Sequence, residues 1–165
     1  MVIEIYPPKW DGNAIKDAVI KKAKTYIKPQ LERIIRKRIA QNKNKDESAV
    51  TQDEIDEYKL RSVYRVSIIY HQSKKRWLLE DPTIPRRDIG LDLDNIAKPI
   101  LDGLGEIIGT KYQWKYDPQK RRYVKTGKSQ ETSDVLIVEL HVKKVNSGED
   151  KEWITIEVEY LYTSL

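Results

Sequence analysis

The chain contains no cysteine and no phenylalanine, one methionine, and two histidines in 165 residues. Without cysteine there is no disulfide and no thiolate metal site, and two histidines argue against a histidine-rich zinc site. Any metal must be held by oxygen ligands, which points to magnesium, with manganese as the other hard candidate. Long apolar runs are missing too, and the N-terminus lacks a charged segment followed by an apolar one. No membrane partner is therefore expected, and a cytoplasmic location is.

What is present is charge: 31 Lys/Arg against 26 Asp/Glu, a net of +5. Residues 14–40 hold nine Lys/Arg and two acids, and residues 109–130 hold seven and one. Taking +7 and +6 from the total leaves −8 for the remainder. A solvated helix surface accounts for one basic block, but two such blocks in a small domain favour a polyanionic partner, chiefly nucleic acid. Hydrophobic residues make up 39%, enough for one domain with a real core.

The pattern along the chain is that of an α+β domain, a small mixed β-sheet packed with helices. "VIEIY" at 2–6 alternates as a strand and is stopped by Pro7 and Pro8. Ile15, Val19, Ala23, Tyr26 and Ile27, then Leu31, Ile34, Ile35 and Ile39, recur at helical spacing, and Pro29 is expected to kink or split that helix. Its other face carries Lys21, Lys24, Lys28 and Arg36. Residues 41–50 have loop composition, and "TQDE" at 51–54 has the form of a capping box opening a short helix to about residue 59. "SVYRVSIIYH" at 62–71 is a strand. "QWKYDPQKRRYV" suggests a hairpin turning at Asp117-Pro118, inside a basic stretch over 109–130. "VLIVELHVKKV" at 135–145 and "WITIEVEYLY" at 153–162 are strands, expected to pair as an antiparallel hairpin through "NSGEDK". The predicted order is strand, helix, strand, helix, hairpin within a single domain over 1–165.

Between these elements, "GLDLDNIAKPILDGLG" at 90–105 crowds Asp92, Asp94 and Asp102 around Lys98. A helix is expected from Asn95 to Leu104, with Asp94 as its N-cap and Gly103 or Gly105 ending it. Pro99 then requires an irregular first turn. On an extended approach Asp92 and Asp94 project to one side, about 7 Å apart at the backbone. Asp94, Lys98 and Asp102 follow at i, i+4 and i+8, with Leu101 and Leu104 as anchors in the core. Like charges at ~4 Å repel by about 4 kcal/mol at an effective dielectric near 20, and a divalent cation between them reverses that sign. Taken singly, Asp94 reads equally well as a cap, and Lys98 with Asp102 as an ordinary surface pair.

The combination of Asp92, Asp94, Asn95, Lys98, Leu101, Asp102 and Leu104 resembles the motif of the RusA family of Holliday junction resolvases. The order of elements is similar as well: an opening strand ending in Pro-Pro, a basic helix, and a strand leading to "PRRDIGLDLDN". "SDVLIVELHVKK" looks like the family's later strand, which begins with a further acid and ends in lysine. The resemblance implies a RusA-like fold and a homodimeric, magnesium-dependent endodeoxyribonuclease that resolves four-way DNA junctions in recombination and repair. It implies Asp92, Asp94 and Asp134 as metal ligands, with Lys98 at the scissile phosphate. Arg86, Arg87, Lys21, Lys24, Lys28, Lys115, Arg121 and Arg122 become the DNA contacts. Asp134 stands alone before Val135 and Leu136, where the family has paired acids and then a glutamine. The inserted basic arm over 109–130 also lengthens the gap before it, so Asp117 and Glu131 are the alternative third acids. Tyr112, Trp114, Tyr116 and Tyr123 of the arm are placed either to stack on unpaired bases or to pack on one another. The alternative function is a non-catalytic module binding branched or double-stranded DNA.

Overall fold

Strand β1 (Val2–Ile5) opens the chain, and two helices follow, α1 (Gly12–Tyr26) and α2 (Lys28–Lys43). The computed structural model describes residues 1–78, 92–109, 112–128 and 136–163. Pro29 splits the helical run as the sequence predicts: Ile27 is the last cap of α1 and the first of α2, at φ −90° and ψ −51°. The Tyr26 carbonyl there accepts instead from the Gln30 side-chain amide at 2.6 Å. Ile15, Val19, Ala23, Ile27, Leu31, Ile35 and Ile39, four apart throughout, form one buried stripe across both helices. Tyr26 departs from the expected stripe. It sits one residue, about 100°, away from Ile27 around the helix and is exposed.

Helix α2 runs on through the first residues of the predicted loop, and a 3₁₀ turn spans Glu47–Ala49. Helix α3 (Gln52–Arg61) then opens on a complete capping box. The Glu54 amide donates to Thr51 Oγ1 and the Thr51 amide to Glu54 Oε1, each at 3.2 Å. Strand β2 (Ser62–Gln72) follows directly, then the short α4 (Lys74–Leu78), α5 (Leu93–Ile108), β3 (Tyr112–Asp117), β4 (Arg122–Lys128), β5 (Ile137–Asn146) and β6 (Trp153–Thr163).

The main sheet has strand order β1-β6-β2-β5, with β2 and β5 parallel and the other pairs antiparallel. This corrects the expected terminal hairpin: β5 and β6 do not pair, because β2 lies between them. The reason is burial. Alternate residues of β2, including Tyr64, Val66, Ile68 and Tyr70, are fully buried and need neighbours on both edges. The segment after β5 passes over the end of β2 and is sewn to it. Ser147 N–H donates to the Gln72 carbonyl and Lys74 N–H to the Glu149 carbonyl, both at 2.9 Å. Glu152 accepts from Tyr70 Oη at 2.6 Å and pairs with Arg76 at 2.8 Å. Arg65 clamps the same three strands from the other face, reaching Glu139 on β5 and Glu159 on β6.

Ile3, Ile5, Ile154, Ile156 and Val158 complete the inward face of the sheet, and Ile96, Ile100, Leu104, Ile107 and Ile108 of α5 join the helical side of the core. Each such side chain contributes about 1.5–3 kcal/mol through its burial. The result is a small α+β domain with a mixed sheet. No helix among the described residues is long and apolar enough to cross a membrane.

Candidate metal and nucleic-acid site

Helix α5 is sharply two-sided. Ile96, Ala97, Pro99, Ile100, Gly103, Leu104, Ile107 and Ile108 are buried, while Asp94, Asn95 and Lys98 are exposed and Asp102 half-exposed. The helix begins two residues earlier and ends four residues later than predicted. Its N-cap is therefore Asp92, and Asp94 already belongs to the first turn. The expectation that Asp92 and Asp94 alternate along an extended strand does not hold, because only Asp92 keeps extended backbone. Leu104 anchors in the core as expected, whereas Leu101 is only half-buried.

Asp92 occupies the cap position without capping: its side chain accepts no hydrogen bond from the helix amides. Asp46, before the 3₁₀ turn, likewise makes no capping bond, but two other caps do. Asp11 accepts from Ala14 N–H at 2.8 Å, and Thr51 caps α3. An aspartate at this position ordinarily stabilises the helix start by about 1 kcal/mol through such a bond. Asp92 is an exposed carboxylate that leaves that use aside. Asp94, one turn before Lys98, lies on the same stripe as Lys98 and Asp102, as the i, i+4 spacing requires.

Gly103 and Gly105 do not end the helix. Gly103 is the point where α5 crosses α1, and its role was not legible in a motif read as a helix stop. A Cβ there would lie 3.0 Å from Val19 Cγ1 and 3.2 Å from the Lys16 carbonyl. Lys16 also pairs with Glu106 at 3.2 Å. The crossing places the basic helix beside the acidic one. Pro99, inside α5 rather than at its start, leaves the Asn95 carbonyl without its usual i+4 donor.

On α1, Lys21 and Lys24 are exposed, and Lys28 at the head of α2 is partly buried. A groove of about 750 Å³ runs beside Lys21, lined in part by Tyr6, Asp17, Lys22 and Tyr26 as well. The Lys22 ammonium lies 5.4 Å from the centre of the Tyr26 ring.

The predicted arm is a hairpin of β3 and β4 in antiparallel register, forming its own two-stranded sheet. Asp117 shapes its turn, accepting from Gln119 N–H at 2.9 Å and Lys120 N–H at 3.3 Å, and Arg121 adopts φ 52°. Asp117 is thus a turn residue. Tyr116 and Tyr123 meet edge to face at 5.5 Å, so this aromatic pair packs on itself. Lys115, Arg121 and Arg122 are exposed.

Asp134, Glu131, Arg86 and Arg87 lie outside the described residues. Among the described residues, no three metal-binding side chains gather at one point. Asp92 and Asp94 supply only oxygen donors, which suits a hard divalent ion that retains several waters, and the uncapped state of Asp92 is consistent with that use. Comparison with protein-family models, with curated proteins and with solved structures found no match.

Proposed function

We propose that the chain is a magnesium-dependent endodeoxyribonuclease, selective for DNA structure, that resolves four-way junctions as a homodimer of RusA-like subunits. The observation that carries this is Asp92: it sits at the N-cap of α5, exposed, and makes no capping bond, with Asp94 one turn before Lys98 on the same helix, which packs against the basic α1.

Asp92, Asp94 and Asp134 hold the metal, with manganese as the substitute for magnesium. The bound ion supplies an activated water and offsets charge on the phosphodiester. Lys98 sits beside the scissile phosphate and balances the negative charge that grows in the transition state. Asp102, one turn further along α5, orients Lys98. Lys21, Lys24, Lys28, Arg86, Arg87, Lys115, Arg121 and Arg122 bind the DNA backbone, which holds the substrate without reading sequence. A two-fold dimer presents two such sites, matching the symmetric pair of strands to be cut.

The test is a synthetic four-way junction incubated with Mg²⁺ or with EDTA, beside an Asp94→Asn variant. Paired, metal-dependent nicks that fall at least 10²-fold in the variant, with binding retained, are the expected result. Tight binding with no nicking in any metal would replace this function with the non-catalytic DNA-binding module. Sedimentation of a monomer at assay concentration would remove the dimer.

A further inference from the structure

The β3–β4 hairpin forms a sheet of its own. An isolated two-stranded hairpin is marginally stable in water, and independent stability needs a third strand or a packed face. This one joins no other strand among the described residues. One tie to the body is the Arg61 guanidinium at the end of α3, 5.1 Å from the centre of the Tyr123 ring. Arg61 covers the face that carries the Tyr116–Tyr123 pair. The register turns Lys115, Asp117, Arg122 and Val124 to the opposite face.

That opposite face carries Lys115 and Arg122, and the turn carries Lys120 and Arg121. Residues 112–128 contain six Lys/Arg and one acid. Lys115, Lys120, Arg121 and Arg122 are all exposed, and none forms an ion pair with a described side chain. The one acid, Asp117, is occupied by backbone amides of the turn. In the body, several cations are matched: Lys16 with Glu106, Lys43 and Lys45 with Glu54, Lys59 with Glu32, Arg76 with Glu152. A two-stranded ribbon whose exposed cations, Lys115 and Arg122 on one face and Lys120 and Arg121 at the turn, form no ion pair with a described side chain is completed by a polyanion laid against them.

We propose that this hairpin is a β-ribbon that enters the major groove of duplex DNA and gains its full order there. The proposal rests on the DNA-binding part of the function above and is independent of the cleavage step. The dimensions agree. Paired strands lie about 4.8 Å apart, and the B-form major groove, about 12 Å wide, admits a two-stranded ribbon. Phosphates line both rims of that groove, so cations on the ribbon's outer face and tip meet charge on either side. The deep, narrow major groove of A-form RNA excludes the same ribbon.

The chain's lack of cysteine makes a direct test simple, because Gln119→Cys at the turn accepts a single thiol-reactive label. An iron chelate placed there is expected to cut bound duplex DNA on both strands, with the stagger of a cutter lodged in the major groove. A variant carrying Lys115→Ala, Lys120→Ala, Arg121→Ala and Arg122→Ala is expected to bind duplex about 10²-fold more weakly at ~0.1 M salt. Its plot of log affinity against log salt should be shallower by about 3–4, near 0.9 for each phosphate that is no longer neutralised. Amides of 112–128 should exchange rapidly in the free protein and become protected on duplex DNA but not on duplex RNA.

Unchanged affinity and salt slope in the fourfold variant would overturn the ribbon. So would a minor-groove stagger, the absence of cutting in a bound complex, or competition by polyglutamate equal to that of DNA at matched charge. The last result would assign the arm to an acidic protein. Loss of junction nicking with arm-dependent binding intact removes the nuclease and leaves the ribbon. Nicking with arm-independent binding removes the ribbon and leaves the nuclease.

Discussion

Gly103 of α5 meets Val19 of α1 so closely that a methyl group on the glycine would lie 3.0 Å from Val19 Cγ1. Because the same crossing brings Lys16 to Glu106, this contact sets the relative position of the basic helix and the acidic motif. Gly103→Ala gains about 1 kcal/mol of helix propensity, but overpacking costs typically 1–3 kcal/mol, and the Lys16 carbonyl offers no flexible side chain to yield. A net loss on the order of 1 kcal/mol is expected in denaturant unfolding. The loss should shrink when Val19→Ala is present, a coupling that a double-mutant cycle measures. Equal costs in both backgrounds would show that the crossing is not tight.

Glu54 joins a capping box to two lysines. The ammonium groups of Lys43 and Lys45, at 2.8 and 2.6 Å, hold its carboxyl down to about 2. A depressed folded-state value means that its contribution is present above the ordinary glutamate value near 4.3. The contribution fades as pH falls toward 2. Glu54→Gln should therefore cost about 1–2 kcal/mol at pH 7, after allowance for solvent screening, and almost nothing near pH 2. Thermal melts of the two proteins across that range give the comparison. Added salt should narrow the gap at pH 7.

Lys59 is 3% exposed and pairs with Glu32 at 3.4 Å. Burial pushes its ammonium below the ordinary lysine value, with Glu32 pulling the other way. The folded state thus holds this proton less tightly than the unfolded chain. Its charge costs stability at neutral pH, and part of that cost is regained as pH rises toward the ordinary value near 10.4. Lys59→Met should melt at or above the temperature of the parent. Glu32→Ala, which strands the ammonium, should cost about 2 kcal/mol, below the full cost for a wholly buried pair because Glu32 keeps contact with water. A lower melting point for Lys59→Met would show that the ion pair is a net stabiliser.

Lys98 stands exposed on α5, away from the core. On the proposed function, Lys98→Ala should slow junction cleavage about 10²-fold in single-turnover kinetics while shifting stability by under ~0.5 kcal/mol. Lys98→Arg should restore part of the rate, since charge rather than packing is at stake. Cleavage indifferent to both substitutions would take Lys98 out of the site.

Much of this was open to inspection in one dimension. Four-residue spacing from Ile15 to Ile39 specified a buried stripe, Pro29 its break, "TQDE" a capped helix start, and Asp117-Pro118 a turn, because each depends on neighbours within a few residues. The polar face of α5, with Asp94, Lys98 and Asp102 in line, follows from the same helical period. Strand pairing does not. "NSGEDK" looked like a hairpin loop, yet β2, from far earlier in the chain, occupies the place between β5 and β6. That choice was made by the need of a fully buried strand for two hydrogen-bonded edges. Asp92 as a cap that does not cap, Gly103 as a helix crossing, and Arg61 as a tie of the arm likewise exist only once distant segments meet. Local periodicity is encoded residue by residue, whereas the partners of an edge, a crossing or a carboxylate are settled by packing the whole chain at once.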